Sequence, residues 1–298
     1  MPVPTYRGRF APTPSGALHF GSLIAALGSY LDARAHGGEW HLRIEDVDPP
    51  RVVPGSANSI LHTLDSFGFA WNGPVIYQSR RAEAYQAAVD QLVAAGRLYG
   101  CDCTRKRLQE KARIGVDGPV YPGSCRDRHL SLKNALRIRV PATRIVFEDI
   151  LAGRIACDVS HECGDFVVRR ADGVFTYQLA VTVDDAELGV THIVRGADLL
   201  ASTPRQIVLQ QALGYPTPTY LHLPVALNEA GGKLSKQTLA APLRDDAPLP
   251  ALLSAAAFLG MDLQREAGTL AEFWQLAPQY WQRSKLPPLR GKQLRTYP

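Results

Sequence analysis

A chain of 298 residues with 46% hydrophobic and 20% charged residues has the apolar content for a full core and too little charge for a disordered protein. No apolar run reaches the roughly eighteen residues that cross a bilayer, and no charged-then-apolar leader opens the chain, so a cytoplasmic protein without membrane contact is expected. The net charge of +5, with Arg283, Lys285, Arg290, Lys292 and Arg295 near the C-terminus, suits either a polyanionic partner or a plain solvated tail.

In chain order, Val3 to Phe10 predicts a short strand, Ser22 to Ala35 a helix, and Trp40 to Glu45 a second strand, a βαβ start halted at Pro49-Pro50. Ser56 to Gly68 is amphipathic, with Ile60, Leu61, Leu64 and Phe67 on one face, and Arg81 to Ala95 predicts a helix ending at Gly96. From Gly100 to about Arg128 the rhythm breaks into a Cys-, Gly- and Pro-rich segment. Leu136 to Val194 then reads as β-like. Helices are expected at Thr203 to Leu213, Leu252 to Leu259 and Leu270 to Trp281, with Trp274 and Trp281 assigned to packing. This layout predicts an α/β fold: a parallel nucleotide-binding sheet, an insertion, and a helical end. Residues 1–98 and 191–245 are expected to form the two halves of the sheet domain (catalytic, on the resemblance described below), 99–190 the insertion, with a metal site expected at 99–130, and 246–298 the helical C-terminal region. In such sheets ligands bind beyond the carboxyl ends of the strands, where Arg9, Glu45 and Arg195 are expected.

Two segments carry the chemistry. Arg9-Phe-Ala-Pro-Thr-Pro-Ser-Gly-Ala-Leu-His19-Phe-Gly-Ser-Leu23 is a proline-stiffened strand end feeding a helix, whose N-terminal N–H groups suit an anion. Lys233-Leu-Ser-Lys236-Gln237 follows Gly231-Gly232, and its two lysines suit a phosphate chain. A lone His before Gly is ordinarily just a helix-start residue; the lysine segment downstream changes that reading. Together they resemble the two signatures of class I aminoacyl-tRNA synthetases. Arg43-Ile-Glu-Asp-Val-Asp-Pro-Pro-Arg51 and Ile193-Val-Arg-Gly-Ala-Asp198 narrow the resemblance to glutamyl-tRNA synthetases, and Ala11-Pro-Thr-Pro-Ser is their form rather than the glutamine form. Leu18-His-Phe-Gly-Ser-Leu, Gly28-Ser-Tyr-Leu-Asp-Ala-Arg34 and Asp48-Pro-Pro-Arg51 resemble the glutamyl-Q tRNA(Asp) synthetases, a family of short paralogues.

The resemblance implies a Rossmann-type catalytic domain interrupted by a zinc-bearing, acceptor-binding insertion. It implies ATP with Mg as substrate and glutamate activated as adenylate without tRNA. Transfer then goes to queuosine at the wobble position of the tRNA(Asp) anticodon stem-loop, and a monomer is expected. His19, Lys233 and Lys236 are the expected catalytic residues. Pro12, His19, Gly21, Ser22 and Lys236 would bind ATP. Arg9 and Arg195 would hold the glutamate side chain and Glu45 the α-ammonium, with Phe10, Ala11, Pro12, Thr13 and Tyr177 completing the pocket. Glutamine would then leave a buried arginine underpaired, at roughly 3–5 kcal/mol.

Five cysteines, three of them close together, fit metal binding better than disulfides. By resemblance Cys101, Cys103, Tyr121 and Cys125 bind a structural zinc; spacing alone leaves the fourth position open, with Cys157, His161 and Cys163 as rivals. Arg105, Lys106 and Arg107 suit tRNA or a solvated turn equally. The chain ends about sixty residues after Lys236, without the large anticodon-binding region of glutamyl-tRNA synthetases, which is why transfer to queuosine is preferred to 3′-end charging; intact His19, Lys236, Arg9 and Glu45 argue against an inactive tRNA-binding module.

Overall fold

A computed structural model describes residues 6–115, 118–226 and 241–289 of the chain. The expected βαβ start is present as strand β1 (Arg7–Phe10), helix α1 (Phe20–Ala35) and strand β2 (Glu39–Ile44), with β1 and β2 parallel and Arg9 opposite His41. Helix α2 (Ser56–Ser66) buries Ile60 and Leu64, and β3 (Ile76–Tyr77) extends the sheet parallel to β2. Helix α3 (Ala82–Ala94) leads to β4 (Leu98–Cys101), then to the short helix α4 (Arg105–Lys111) and the hairpin β5 (Arg113–Gly115) with β6 (Gly118–Val120). Strand β7 (Ala135–Ile138) precedes β8 (Arg144–Asp149), β9 (Gly153–Asp158), the single turn α5 (Val159–Glu162) and β10 (Val167–Arg169). A small antiparallel sheet of order β10-β7-β4 carries the Cys-rich segment.

Expectation and structure part at residues 177–187, read above as β-like: they form helix α6 (Tyr177–Glu187). The β-branched trio Val181-Thr182-Val183 supplies the strand signal. Leu179, Ala180 and Val183, however, recur at helical spacing and enter one apolar core, and that packing overrides local propensity.

A further sheet contains β11 (His192–Gly196) and β12 (Thr219–Leu223), joined by helix α7 (Thr203–Leu213), which forms as expected from sequence. β11 and β12 are parallel, and β8, from the stretch expected as insertion, joins β12. This sheet and that of β1 and β2 meet at β1 and β11, where the Thr191 N–H donates to the Arg7 carbonyl at 2.9 Å. Helix α1 lies close on this sheet: a Cβ on Gly28 would stand 2.4 Å from Leu223 Cδ1, so no larger residue fits without displacement.

Helices α8 (Pro248–Phe258) and α9 (Leu270–Tyr280) pack on α1 in a core separate from that around α3, α6 and α7. Trp274 meets Tyr30 and Phe69 edge-on, and both tryptophans serve packing. The fully buried Asp32 of α1 accepts from Tyr6 Oη (2.5 Å), Trp281 Nε1 (2.9 Å) and Arg283 (2.7 and 2.8 Å). Arg283, grouped by sequence with a tail for a polyanion, instead fastens the C-terminal segment to α1. Arg290, Lys292 and Arg295 lie outside the described residues.

Candidate active site

The carboxyl ends of β1, β2, β11 and β12 open onto one cavity of about 560 Å³. Arg9, Phe10, Ala11, Pro12, Thr13, His19, Gly21, Ser22, Glu45, Tyr177 and Arg195 all line it, although they come from positions as far apart as 9 and 195. Lys233, Lys236 and Gln237 lie outside the described residues. Their flanks do not: Pro224 and Val225 line the cavity, and beyond the lysine segment the Leu243 N–H donates to the Leu18 carbonyl at 2.9 Å, one residue from His19.

At the mouth of α1, His19 is the N-cap and its Nδ1 accepts from the Ser22 N–H at 3.3 Å. That bond places the proton of a neutral ring on Nε2. It also engages the Ser22 N–H, which the sequence reading had given to an anion. The first turn carries no acidic side chain, so the positive end of the helix dipole faces the cavity without a built-in counter-charge from its own turn.

The two arginines expected to share one task have different surroundings. Arg9, 4% exposed, donates through Nε to Asp185 Oδ1 at 3.1 Å. Arg43, fully buried, donates to the same oxygen at 2.6 Å and to Glu45 Oε1 at 3.2 Å, and stands 3.7 Å from Asp184. Arg81 joins Asp184 (2.6 Å) and Glu187. Three guanidiniums thus face four carboxylates among the described residues, an arrangement with room for one more cation. Burial opposes ionisation of Asp185, but Arg43 and Arg9 hold its carboxyl below the usual range. Glu45 moves the other way: burial lifts it, and Arg43 and Arg9 offset that only partly. Burial, then Glu45, pushes the Tyr177 phenol up to about 12, so it enters the cavity as a neutral hydroxyl.

Arg195 forms no ion pair with a carboxylate among the described residues, although Asp198 lines the same cavity. Its Nε donates to His222 Nε2 at 3.1 Å and its Nη2 to Thr203 Oγ1 at 2.8 Å, while its Nη1 is buried with no hydrogen-bond partner among the described residues. His222 is itself fully buried and bonded through Nδ1 to Asp149 Oδ2 at 2.7 Å.

Sequence reasoning passed over Arg43, Asp149, Asp184, Asp185 and His222. Two signals pointed to some of them: adjacent aspartates closing the apolar run Leu179–Val183, and a histidine inside the strand Tyr220-Leu-His-Leu223. Acids and histidines there must be paired to be tolerated.

At the far end of the small sheet, Cys101, Cys103 and Cys125 bring their Sγ atoms within 4.8 Å of one another, a group that could hold a metal ion. The Tyr121 hydroxyl lies 3.6 Å from Cys101 Sγ and 3.8 Å from Cys103 Sγ, about the ligand–ligand edge of a tetrahedral zinc site. Arg137 Nε donates to Cys101 Sγ at 3.2 Å and the Cys125 N–H to the Tyr121 oxygen at 2.8 Å, contacts that favour anionic donors. The rivals do not join: Cys157 and Cys163 sit 3.9 Å apart inside the second apolar core, and His161 is exposed.

Comparisons with known proteins agree with this geometry. Residues 5–271 match the model of the class I tRNA synthetases (E and Q), catalytic domain. A glutamyl-Q tRNA(Asp) synthetase of Dechloromonas aromatica (strain RCB) is 55% identical over 95% of this chain and 96% of its own length. Another, of Chromobacterium violaceum, is 53% identical over 95% of each. Among solved structures, a glutamate tRNA ligase from Elizabethkingia meningosepticum in complex with its amino acid superposes with a TM-score of 0.80 at 26% identity. It covers 96% of this chain, which spans 66% of that one. Among the described residues no helix is long and apolar enough to cross a membrane. A sheet whose strand ends gather the expected residues, a family model covering most of the chain and relatives above half identity lead to one assignment: the chain belongs to the class I aminoacyl-tRNA synthetases of the glutamate and glutamine type, within the glutamyl-Q tRNA(Asp) synthetase family, and is a ligase-type enzyme.

Proposed function

We propose that the enzyme activates L-glutamate with ATP and Mg as glutamyl-adenylate, without tRNA, and transfers the glutamate to queuosine in the anticodon stem-loop of tRNA(Asp). The observation that carries the amino-acid assignment is the buried Arg195 Nη1, without a partner among the described residues, in a cavity that also holds Glu45. A substrate carboxylate satisfies the first, and the fork geometry of arginine suits it. An α-ammonium at Glu45 supplies the cation that the group of three guanidiniums and four carboxylates lacks. Tyr177 and the backbone from Phe10 to Thr13 fill the remaining wall.

The α-carboxylate, held between these ends, attacks the ATP α-phosphorus in line and pyrophosphate leaves, a step governed by positioning and charge stabilisation. Pro12, His19, Gly21 and Ser22 lie where the phosphates enter. The α1 dipole and a proton on His19 Nε2 stabilise their charge, with Lys236 and Lys233 assigned to the departing pyrophosphate. In the second step a hydroxyl of the acceptor attacks the adenylate carbonyl, AMP leaves, and a glutamyl ester results. Cys101, Cys103, Tyr121 and Cys125 would hold a zinc ion, whose contribution is structural: it braces a segment with little core of its own. The residues fit the ion, and the chemistry at the cavity runs without it.

The choice of queuosine as acceptor is supported by the names of relatives that match this chain over nearly their full length. The reaction is placed in the cytoplasm, with ATP and tRNA. Two measurements test the reading. ATP–pyrophosphate exchange without tRNA should respond to glutamate and not to glutamine or aspartate. Radiolabelled glutamate should enter tRNA(Asp) that lacks its 3′-terminal adenosine and should not enter tRNA(Asp) that lacks queuosine. The opposite labelling pattern would establish 3′-end charging.

A further inference from the structure

Arg195 reaches the cavity through a line of three side chains, two of which lie outside it. Arg195 ends β11, His222 stands on β12 beside it in parallel register, and Asp149 closes β8 on the far side of β12. All three are buried. We propose that His222 and Asp149 are positioning residues for Arg195: they fix the guanidinium at the cavity wall, where it meets the substrate carboxylate, with a neutral imidazole rather than a protein carboxylate against its Nε. The proposal rests on the reading of the cavity as a glutamate site.

The bonds run in one sense only. Asp149 Oδ2 accepts from His222 Nδ1 at 2.7 Å and from the His222 backbone N–H at 3.1 Å, so the imidazole carries its proton on Nδ1. Nε2 is then a lone pair, the partner an arginine Nε–H requires, at 3.1 Å. Asp149 is held in turn by the N–H groups of Leu151 and Ala152 on its other oxygen, at 3.0 and 2.8 Å. Burial pushes the His222 imidazole down to about 4, so the ring remains neutral where the enzyme works and does not neutralise the arginine.

Arg9 shows the alternative. A carboxylate sits directly on it and answers much of its charge. A neutral imidazole fixes Arg195 equally well in direction and puts no carboxylate in direct contact with its Nε, so an anionic side chain is stabilised there and a neutral amide is not. Asp149 enters from the stretch expected as insertion, so the aim of this arginine depends on β8 staying docked on β12.

Isosteres separate aiming from mere packing. Asparagine at 222 places its amide near the position of Nδ1, within reach of Asp149 but short of Arg195; glutamine places its amide near Nε2 and retains an acceptor for Arg195. Exchange kinetics on the full chain, varying glutamate and ATP separately, should show a glutamate KM raised about tenfold or more in His222→Asn and in Asp149→Asn, with the ATP KM within about twofold and most of the loss restored in His222→Gln. In the Arg195→Ala background, Asp149→Asn should add nothing to the glutamate KM. An unchanged glutamate KM in both His222→Asn and Asp149→Asn would overturn the proposal. So would an ATP KM that rises in parallel, an effect of His222→Gln equal to that of His222→Asn, or effects of Asp149→Asn and Arg195→Ala that multiply. A wild type without glutamate-dependent exchange would fell the substrate reading and this proposal together; failure confined to the variants would fell this proposal alone.

Discussion

Asp185 Oδ1 accepts from both Arg9, at 3.1 Å, and Arg43, at 2.6 Å, so Arg9 enters the cavity already paired. By resemblance alone Arg9 and Arg195 share one task, and a neutral substrate strands either. The structure divides them: Arg9 belongs to a buried ionic group linking β1, β2 and α6, and Arg195 is the cation whose Nη1 has no partner among the described residues. On the proposed glutamate reading, selection for an acidic side chain therefore rests on Arg195.

Asp185→Asn should be costly for stability. It leaves two buried guanidiniums without their shared carboxylate, a class of change that costs roughly 3–5 kcal/mol. Chemical denaturation should show an unfolding free energy lower by that amount, read as a lower midpoint at an unchanged denaturant slope. A variant as stable as the wild type would mean that Asp184 and Glu45 already compensate both arginines.

Much of this was legible in the sequence, for identifiable reasons. Strand ends and helix starts are written locally: His19 before a small-residue helix, Arg9 and Glu45 at the ends of short apolar runs, and Thr203–Leu213 bounded by Gly214. The three cysteines of one short segment were legible because close ligand spacing is itself a signal. Partners across the fold were not. Nothing local joins Asp149 to His222 or Asp185 to Arg9, since these contacts exist only once β8 docks on β12 and 177–187 coils as α6. Reading Val181-Thr-Val183 as strand hid the latter, because a strand would have alternated Asp184 and Asp185 to opposite faces. The role of Arg283 was hidden likewise: a basic residue near a chain end reads as solvated until its partner, Asp32 in α1, is known.

The thiol cluster should carry about one zinc ion per chain. Elemental analysis of Cys125→Ala should show most of the metal lost, because two thiolates and one phenol make a poor site. Cys163→Ala should retain it, since that side chain packs in a different core. Metal kept by the first variant and lost by the second would move the site to the later cysteines.

Lys236→Ala should lower the rate of glutamate-dependent exchange by more than about tenfold and leave the glutamate KM nearly unchanged, because the lysine is assigned to charge that develops on the phosphates. In the chain it lies between Val225, which lines the cavity, and Leu243, whose N–H donates to the Leu18 carbonyl beside His19. A raised glutamate KM at unchanged rate would place Lys236 on the amino acid instead.

Stability should rise with pH across the range set by His222. Its folded value, pushed down to about 4 by burial, lies below the ordinary 6.5, so between these values the unfolded chain binds the proton and the folded chain does not. The contribution is therefore fully present above pH 6.5 and is lost as pH falls toward 4, on the order of 3 kcal/mol across that window. Asp149 and Asp185, both held below the usual carboxylate range, withdraw their contributions only at lower pH, as they take up protons. Glu45 acts with the opposite sign: its raised value means the folded state gains a proton first as pH falls, which blunts the slope just above the ordinary carboxylate range. The difference between wild type and His222→Gln isolates the histidine, since glutamine does not titrate. Unfolding free energies measured from pH 4 to 7 should converge at the acid end and separate toward neutrality. Parallel curves for the two proteins would show that His222 binds its proton equally well folded and unfolded, and would remove the basis for a neutral ring beside Arg195.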